Sequence, residues 1–547
     1  MAKSVAQVGA VIGRDFSHDL ISHGCPDIPD AVLQNSLEEL IRSALVTHTT
    51  DAAGATYSFK HALIRDAAYN SLTRAQRQLR HQHVVASLER TTDVRTAPPE
   101  LLAFHCQEGG LTERAVQLWL KAAEAAEARS AMVEAVSHYE AVLRLTTSAG
   151  GDEGEERTLA VQMRLGHALF QTQGFTSNGA KRAFERARHL AIHLKRGQEE
   201  LQASGALAGG LGASGRFKEA IALLRSFTES DLASAPAMAR VSHSARLGYF
   251  HLLLGEFAEG RDGLTRARDG LRNVDRESWA PFGGANPYVA IRMILGLGLL
   301  YMGEICAAVQ TIEDGFAHAE ASQHAYSQVW AGLNMAIVSA ANRDLAAVAR
   351  SARLATELAD RFGLKGFAGA ARIQQGRALL ATGSAEDGIR SCRHGYEDSV
   401  RFNGRFWSTG YAADAAESLI HAGLPDIADE FLTLAEATQR ETEERHQTAR
   451  VVLLRGDVAR LNGDKPTAEL LYQEAIVVAK TQGARLFELC AAMKWVQCSE
   501  PVDLGNDRSL EALRIACARM PDDCDFPDLV DARASLKLDE GCGERAS

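Results

Sequence analysis

His189 and His193 stand four residues apart, a spacing that puts both imidazoles on one face of a helix. Leu190 follows His189, however, so the Glu of a hydrolytic zinc helix is missing. Nine cysteines, at 25, 106, 306, 392, 490, 498, 517, 524 and 542, include no Cys-x-x-Cys pair. Their odd number and irregular spacing fit reduced thiols, not a disulfide framework or a metal site. No Gly-x-x-x-x-Gly-Lys-Ser/Thr loop occurs, so the backbone cradle and lysine that would hold a nucleotide phosphate are absent from the sequence. No Ser, His and Asp grouping stands out for nucleophilic chemistry. The expectation is a non-enzyme: no catalytic residue, no metal and no cofactor.

Two groups suit binding better than catalysis. Arg74, Arg77 and Arg80 recur at helical spacing, with His81 and His83 beside them, and form a candidate basic face for phosphate or an acidic partner. Trp279, Phe282 and Tyr288 sit in a Gly- and Pro-containing stretch, and large aromatics of this kind make candidate partner contacts. The same rings can also serve as a plug between neighbouring elements.

What positions these residues is a repeat. A turn residue followed five positions later by a small residue recurs as Gly215/Ala220, Gly255/Gly260, Gly303/Ala308, Asn342/Ala347, Gly383/Gly388, Gly423/Ala428 and Gly463/Ala468. A helix that runs into Gly can end on a left-handed residue without a Cβ penalty. The small residue then lets a second helix pack closely against the first. Seven residues before the turn lies another small residue, as at Gly248, Gly296, Gly376, Ala416 and Gly456. The layout resembles the tetratricopeptide (TPR) repeat, at a period of about 40 instead of the usual ~34. The extra length implies helices of roughly 15–17 residues. The Trp279–Tyr288 stretch is the insertion that lengthens one repeat.

The predicted fold class is all-α: a right-handed α-solenoid of TPR-like helical hairpins with a small N-terminal winged-helix domain. Residues 1–95 read as the winged helix, with helices near 4–12, 16–23 and 29–43, a hairpin at 45–59, and helices at 60–72 and 74–90. Residues 96–111 are a linker and first solenoid helix, with 91–99 the likeliest linker. About nine repeats occupy 112–480, capping helices 481–535, and a disordered tail 536–547.

Composition agrees with this class. Hydrophobic residues are 46% and charged residues 24%, so wholesale disorder is excluded. Only 12 prolines and 6% aromatics favour helices over a large β domain. Lys and Arg number 59 against 70 Asp and Glu, a net charge of −11 that disfavours nucleic acid. The helix 29–43 of the small domain carries Asp30, Glu38 and Glu39 against Arg42, and this surface repels phosphate. The most apolar stretch, Val289 to Met302, is interrupted by Arg292, so a soluble, cytoplasmic protein without membrane contact is expected.

Four segments carry a family resemblance: Ala10-Val-Ile-Gly-Arg-Asp-Phe16, Phe59-Lys-His-Ala-Leu-Ile-Arg-Asp-Ala-Ala-Tyr69, Pro99-Glu-Leu-Leu-Ala-Phe-His105 and Phe282-Gly-Gly-Ala-Asn-Pro-Tyr-Val289. Together they resemble the C-terminal half of large bacterial proteins in which a class III adenylate/guanylate cyclase precedes a STAND-type AAA ATPase. The resemblance implies a sensor half whose partners are a protein, a peptide, a small-molecule ligand or a cyclase/ATPase half, in cyclic-nucleotide signal transduction. It also implies a nucleotide-sensing role for His61, although Ala62 stands where that family's motif has Asp. Other STAND proteins of this layout are transcriptional regulators, which leaves the partner-binding half of such a regulator as an alternative. A cyclase fragment lacking its catalytic domain is another, because the chain begins where the ATPase of that family ends.

Overall fold

The structure, a computed structural model, describes residues 1–547 except 52–53, 92–97, 130, 147–150, 280–281, 283, 500–507, 522–525 and 544–547. Its contacts divide the chain into two compact units, Met1–Thr172 and Gln173–Ser547.

The first unit opens with α1 (Ala2–Ile12), β1 (Asp15–Ser17), α2 (His18–Gly24) and α3 (Asp30–Arg42). β2 (Val46–Asp51), β3 (Gly54–Phe59), α4 (Ala62–Asn70) and α5 (Arg74–Thr91) follow. The expected hairpin forms with Val46 opposite Phe59 and His48 opposite Tyr57. A third strand was not expected: β1 pairs antiparallel with β3, giving the order β1-β3-β2. Phe16 drives this pairing, since its ring lies 5.8 Å from Tyr57 and 5.6 Å from Phe59 in a core shared with Val5, Leu33 and Leu37. Helices α6 (Pro99–Glu108), α7 (Thr112–Ala128), α8 (Met132–Thr146) and α9 (Asp152–Gln173) complete the unit. Val85, Cys106 and Ala115 share one apolar cluster, so packing runs on past residue 95, where a domain end was expected. Most of the expected 91–99 linker lies outside the described residues.

The second unit continues with α10 (Asn178–His193), α11 (Gly197–Ala213), α12 (Phe217–Arg225) and the short α13 (Glu229–Ser234). Long hairpins then follow: α14 (Ala237–Leu253) with α15 (Phe257–Leu271), α16 (Pro287–Tyr301) with α17 (Ile305–Ser322), and α18 (Ala325–Ala341) with α19 (Leu345–Arg361). Next come α20 (Lys365–Ala381) with α21 (Ala385–Asn403), α22 (Ser408–His421) with α23 (Pro425–Glu441), and α24 (Thr448–Leu461) with α25 (Lys465–Gln482). α26 (Arg485–Cys498), α27 (Arg508–Ala518) and α28 (Pro527–Gly543) close the unit. The tail expected from residue 536 is helical as far as Gly543, and 544–547 lie outside the described residues. Among the described residues no helix is long and apolar enough to cross a membrane.

The turn glycines behave as their spacing predicts, with φ of 75° at Gly215, 77° at Gly255 and 78° at Gly303. One register needs correction. The left-handed residue of the α18–α19 turn is Arg343 (φ 59°), not Asn342. Positions 303, 343, 383, 423 and 463 are then evenly spaced by forty, and buried Val348 replaces Ala347 as the close-packing residue. A left-handed Arg costs on the order of 1 kcal/mol, and here its side chain pairs with Asp528 and with Asp531 (2.8 Å). Within a hairpin the small residues serve close approach: a Cβ on Gly248 would meet Leu264 N at 2.7 Å and Gly260 O at 2.8 Å.

The solenoid of this unit also winds back onto itself. Arg405 N donates to Ala213 O (2.9 Å), Arg445 N to Leu253 O (2.7 Å), and Tyr301 packs on Phe487 at 5.3 Å. Arg343 and Asp528, which are 185 residues apart, form the same kind of tie. From the α11–α12 turn to the α21–α22 loop the chain passes half of one hairpin and the four hairpins α14–α15 to α20–α21, so one superhelical turn takes nearly five of them. Buried Ala428 sits where α23 approaches α22. Ala428→Trp should therefore cost roughly 1–3 kcal/mol by overpacking. Because successive turns are tied together, urea unfolding followed by circular dichroism should show one transition moved to lower denaturant. An unchanged curve would contradict the register.

Candidate functional site: the inner cavity of the second unit

The first helix of each hairpin packs on the first helix of the next, from α14 through α16, α18, α20, α22 and α24 to α26. These helices form an inner wall, and α16 meets α26 across it. They enclose a cavity of about 620 Å³. The repeat decides which side chains face it. Ile337, Arg377, Glu417, Asp457 and Gln497 recur every forty residues, the first four each six positions before a left-handed turn residue, and all five line the cavity. Part of the lining is apolar, with Leu300, Ile337, Leu486, Phe487, Met493 and Phe526.

The rest includes a charge lattice that is largely buried. Arg450 Nη2 donates to Asp414 Oδ1 (2.8 Å) and Glu417 Oε2 (2.9 Å). Arg377 reaches the same Glu417 oxygen (2.8 Å) and the Ser418 hydroxyl (3.0 Å). Gln374 Nε2 donates to Asp414 Oδ2 (2.8 Å). Burial by itself would raise the Glu417 carboxyl, but Arg450 and Arg377 overcome it and hold the pKa well below the usual carboxylate range. The wall therefore presents fixed donors and acceptors side by side.

Beside the cavity lies a second buried polar group, on the loop between α23 and α24. Glu444, His446 and Gln447 are each fully buried. Thr409 donates to Glu444 Oε2 through its backbone N (2.9 Å) and its hydroxyl (2.6 Å). Among the described residues Glu444 Oε1 and both His446 ring nitrogens lack a hydrogen-bond partner, and His446 Nδ1 stands 3.6 Å from that oxygen. Burial pushes the Glu444 carboxyl up to about 7 and the His446 imidazole down to about 3, so both groups favour their neutral forms. Trp407, left-handed at φ 60°, packs against His446 (4.5 Å) and donates from Nε1 to the Tyr249 hydroxyl (2.7 Å).

The residues singled out from sequence lie elsewhere. His61 is the exposed residue that precedes α4. Arg74 is exposed, whereas Arg77 lies over the Tyr69 ring (4.7 Å) and Arg80 reaches the Ser4 hydroxyl (3.3 Å). His81 does not share that basic face. It is buried, with Nδ1 2.9 Å from His105 Nδ1, and burial lowers both imidazoles to about 4. In the inserted stretch Phe282 is buried, while Trp279 and Tyr288 are half-buried. These two rings stack at 6.0 Å, and His318 covers Tyr288 at 4.3 Å. The structure thus separates the expected contact trio into one plug and two half-open rings. Among the described residues no cluster of His, Cys, Asp and Glu could hold a metal.

No family model matches the chain. An uncharacterized protein of Rhizobium meliloti (strain 1021) is 27% identical over 401 residues, covering 70% of this chain and 37% of that protein. The chain thus spans little more than a third of its relative's length. Among solved structures, a STAND protein with a tetratricopeptide repeat sensor from Pyrococcus horikoshii covers 91% of this chain and 65% of its own, at 12% identity and TM-score 0.38. A Rap protein complexed with competence and sporulation factor covers 70% and 98%, at 12% identity and TM-score 0.42. NprR in complex with its cognate peptide NprX covers 66% and 98%, at 11% identity and TM-score 0.44. All three scores are below 0.5, and the chemistry of the site comes from this chain's own residues.

Proposed function

We propose that the chain is a non-catalytic regulatory module whose second unit captures a peptide segment in the inner cavity. The observation that supports this is the wall itself. It sets paired donors and acceptors among apolar side chains, in a volume suited to several residues of extended chain. Its lining carries Arg343, Arg377, Arg450 and Lys494 against Asp414, Glu417, Asp457, Asp528 and Asp531. That balance suits peptide amides and mixed side chains and disfavours a polyanion such as nucleic acid. The first unit, read as a winged helix, relays the bound state to a separate cyclase or ATPase half, as the motif resemblance implies. Exposed His61, with Leu63 80% exposed beside it, presents a surface for that contact.

The test is selection of random twelve-residue peptides on the full chain, followed by anisotropy titration of those enriched. Ala341 lines the cavity and is only partly buried, so Ala341→Trp should fill the space without breaking an ion pair. Enriched peptides should bind this variant at least ~10-fold more weakly, a loss of about 1.4 kcal/mol. Equal binding to parent and variant would refute the cavity as the site. ATP turnover or cyclic-nucleotide formation by the purified chain would replace the module with an enzyme.

A further inference from the structure

Most charged side chains on the inner wall are answered by an opposite charge. Arg246 is not. It lies on α14 nine residues before Gly255, a repeat position held by Asn334, Gln374 and Asp414 in three later hairpins and by Ile294 and Leu454 in two others. Its guanidinium is set over Gly205 of α11, where a Cβ would stand 3.2 Å from Nη1, and over the buried Phe282 ring at 5.3 Å. No carboxylate pairs with it and no hydrogen bond satisfies it among the described residues. Burial lowers its pKa to about 10, although the side chain keeps a solvent-accessible edge. Its neighbour one turn back, His243, has a buried Nδ1 with no hydrogen-bond partner among the described residues.

A half-buried cation that keeps some solvent contact but has no counter-charge adds little to the stability of the fold. Gly205 supplies the space, and Phe282 gives a face that a cation tolerates without neutralising it. Tyr249 lies one turn further along α14, and through Trp407 (6.3 Å) and His446 its ring connects to Tyr301 of the cavity wall.

We propose that Arg246 is an anion subsite of the inner wall, which takes a carboxylate or phosphate group carried next to an aromatic or apolar group of the ligand. The planar guanidinium receives two oxygens of such a group side by side, while Phe282 borders its apolar part. The anion then supplies the charge the fold omits. This deepens the peptide assignment, for which a terminal or side-chain carboxylate is the natural occupant, and it is tested apart from any peptide.

The probes are phenylacetate, phenyl phosphate and neutral phenylacetamide, titrated into the full chain by ligand-observed NMR. At least one anion should bind saturably and the amide should not. Preference for phenylacetate assigns a carboxylate, and preference for phenyl phosphate a phosphate. Arg246→Met should weaken the anion at least ~10-fold, and Arg246→Lys should fall between. Arg246→Met should also melt at or above the parent temperature, because an unpaired charge has been replaced by an apolar chain. A clear fall in melting temperature would show a structural arginine and overturn the proposal. So would equal binding by the amide, or anion binding unchanged in the Met variant. Should peptides bind in an Ala341→Trp-sensitive way while no anion binds, the subsite alone fails. If anions bind through Arg246 while no peptide is held, the peptide assignment alone fails.

Discussion

Arg450→Ala should destabilise the chain by about 3–5 kcal/mol, because it leaves the buried Asp414 and the half-buried Glu417 sharing one remaining cation. Arg450 and Asp414 are both close to fully buried, with side-chain exposures of 11% and 8%, and Arg450 bonds to both acids. In the variant Arg377 alone faces Asp414 and Glu417. The sign of the pH dependence follows from Glu417, whose folded pKa is depressed. Its contribution is present in full above the ordinary carboxylate range, near pH 4–5, and is lost as the pH falls below it. The gap between parent and Arg450→Ala should accordingly be widest near neutral pH and narrow in acid. Adding Glu417→Gln should recover part of the loss, since it removes one uncompensated charge. Urea titrations of the three proteins at pH 4 and pH 7 give the answer. A deficit under 1 kcal/mol at pH 7 would mean the lattice is solvated.

Glu444→Gln should change the pH profile in the opposite sense. A carboxyl raised to about 7 in the folded chain favours folding while protonated. That contribution is lost as the pH rises from about 4.5 through 7, and above 7 the buried charge is a constant penalty. Glutamine keeps an acceptor for both Thr409 donors, and its amide faces the unpartnered His446 nitrogen. The stability of Glu444→Gln relative to the parent should therefore grow by about 2.5 kcal/mol between pH 5 and pH 8. His446, lowered to about 3, titrates in both proteins and weakens each as the pH falls below about 6.5, so the difference isolates Glu444. A difference that stays flat across this range would show that Glu444 is already ionised without strain.

The hairpins were legible because the turn and close-packing positions are fixed by backbone needs that few residues meet. Arg343 escaped because its left-handed conformation is sustained by Asp528 and Asp531, partners 185 and more residues away that no local pattern encodes. β1 escaped because three residues give no alternation to read, and Phe16 shows its purpose only beside Tyr57 and Phe59. The loop Thr442–Gln447 is the sharpest case. Its composition is that of a solvated turn, yet Glu444 and His446 are buried because the next superhelical turn lies against them. Winding with about five hairpins per turn depends on the angle between neighbours, and residue spacing does not carry that angle. The cavity residues did leave a signal: in the corrected register, the column Ile337, Arg377, Glu417, Asp457 and Gln497 can be read at intervals of forty. His81 was misassigned because its spacing from Arg77 suggests one exposed face, while α6 covers it with His105.

Hydrogen–deuterium exchange of the full chain, with and without a selected peptide, tests most directly whether the inner wall is the binding site. Slowed exchange should appear in segments of the cavity wall, around 337–345, 377–381, 414–422, 450–457 and 486–497. The outer helices α21 and α25 should exchange as before. Protection confined to those outer helices, or to the stretch around Trp279 and Tyr288, would contradict an inner binding cavity.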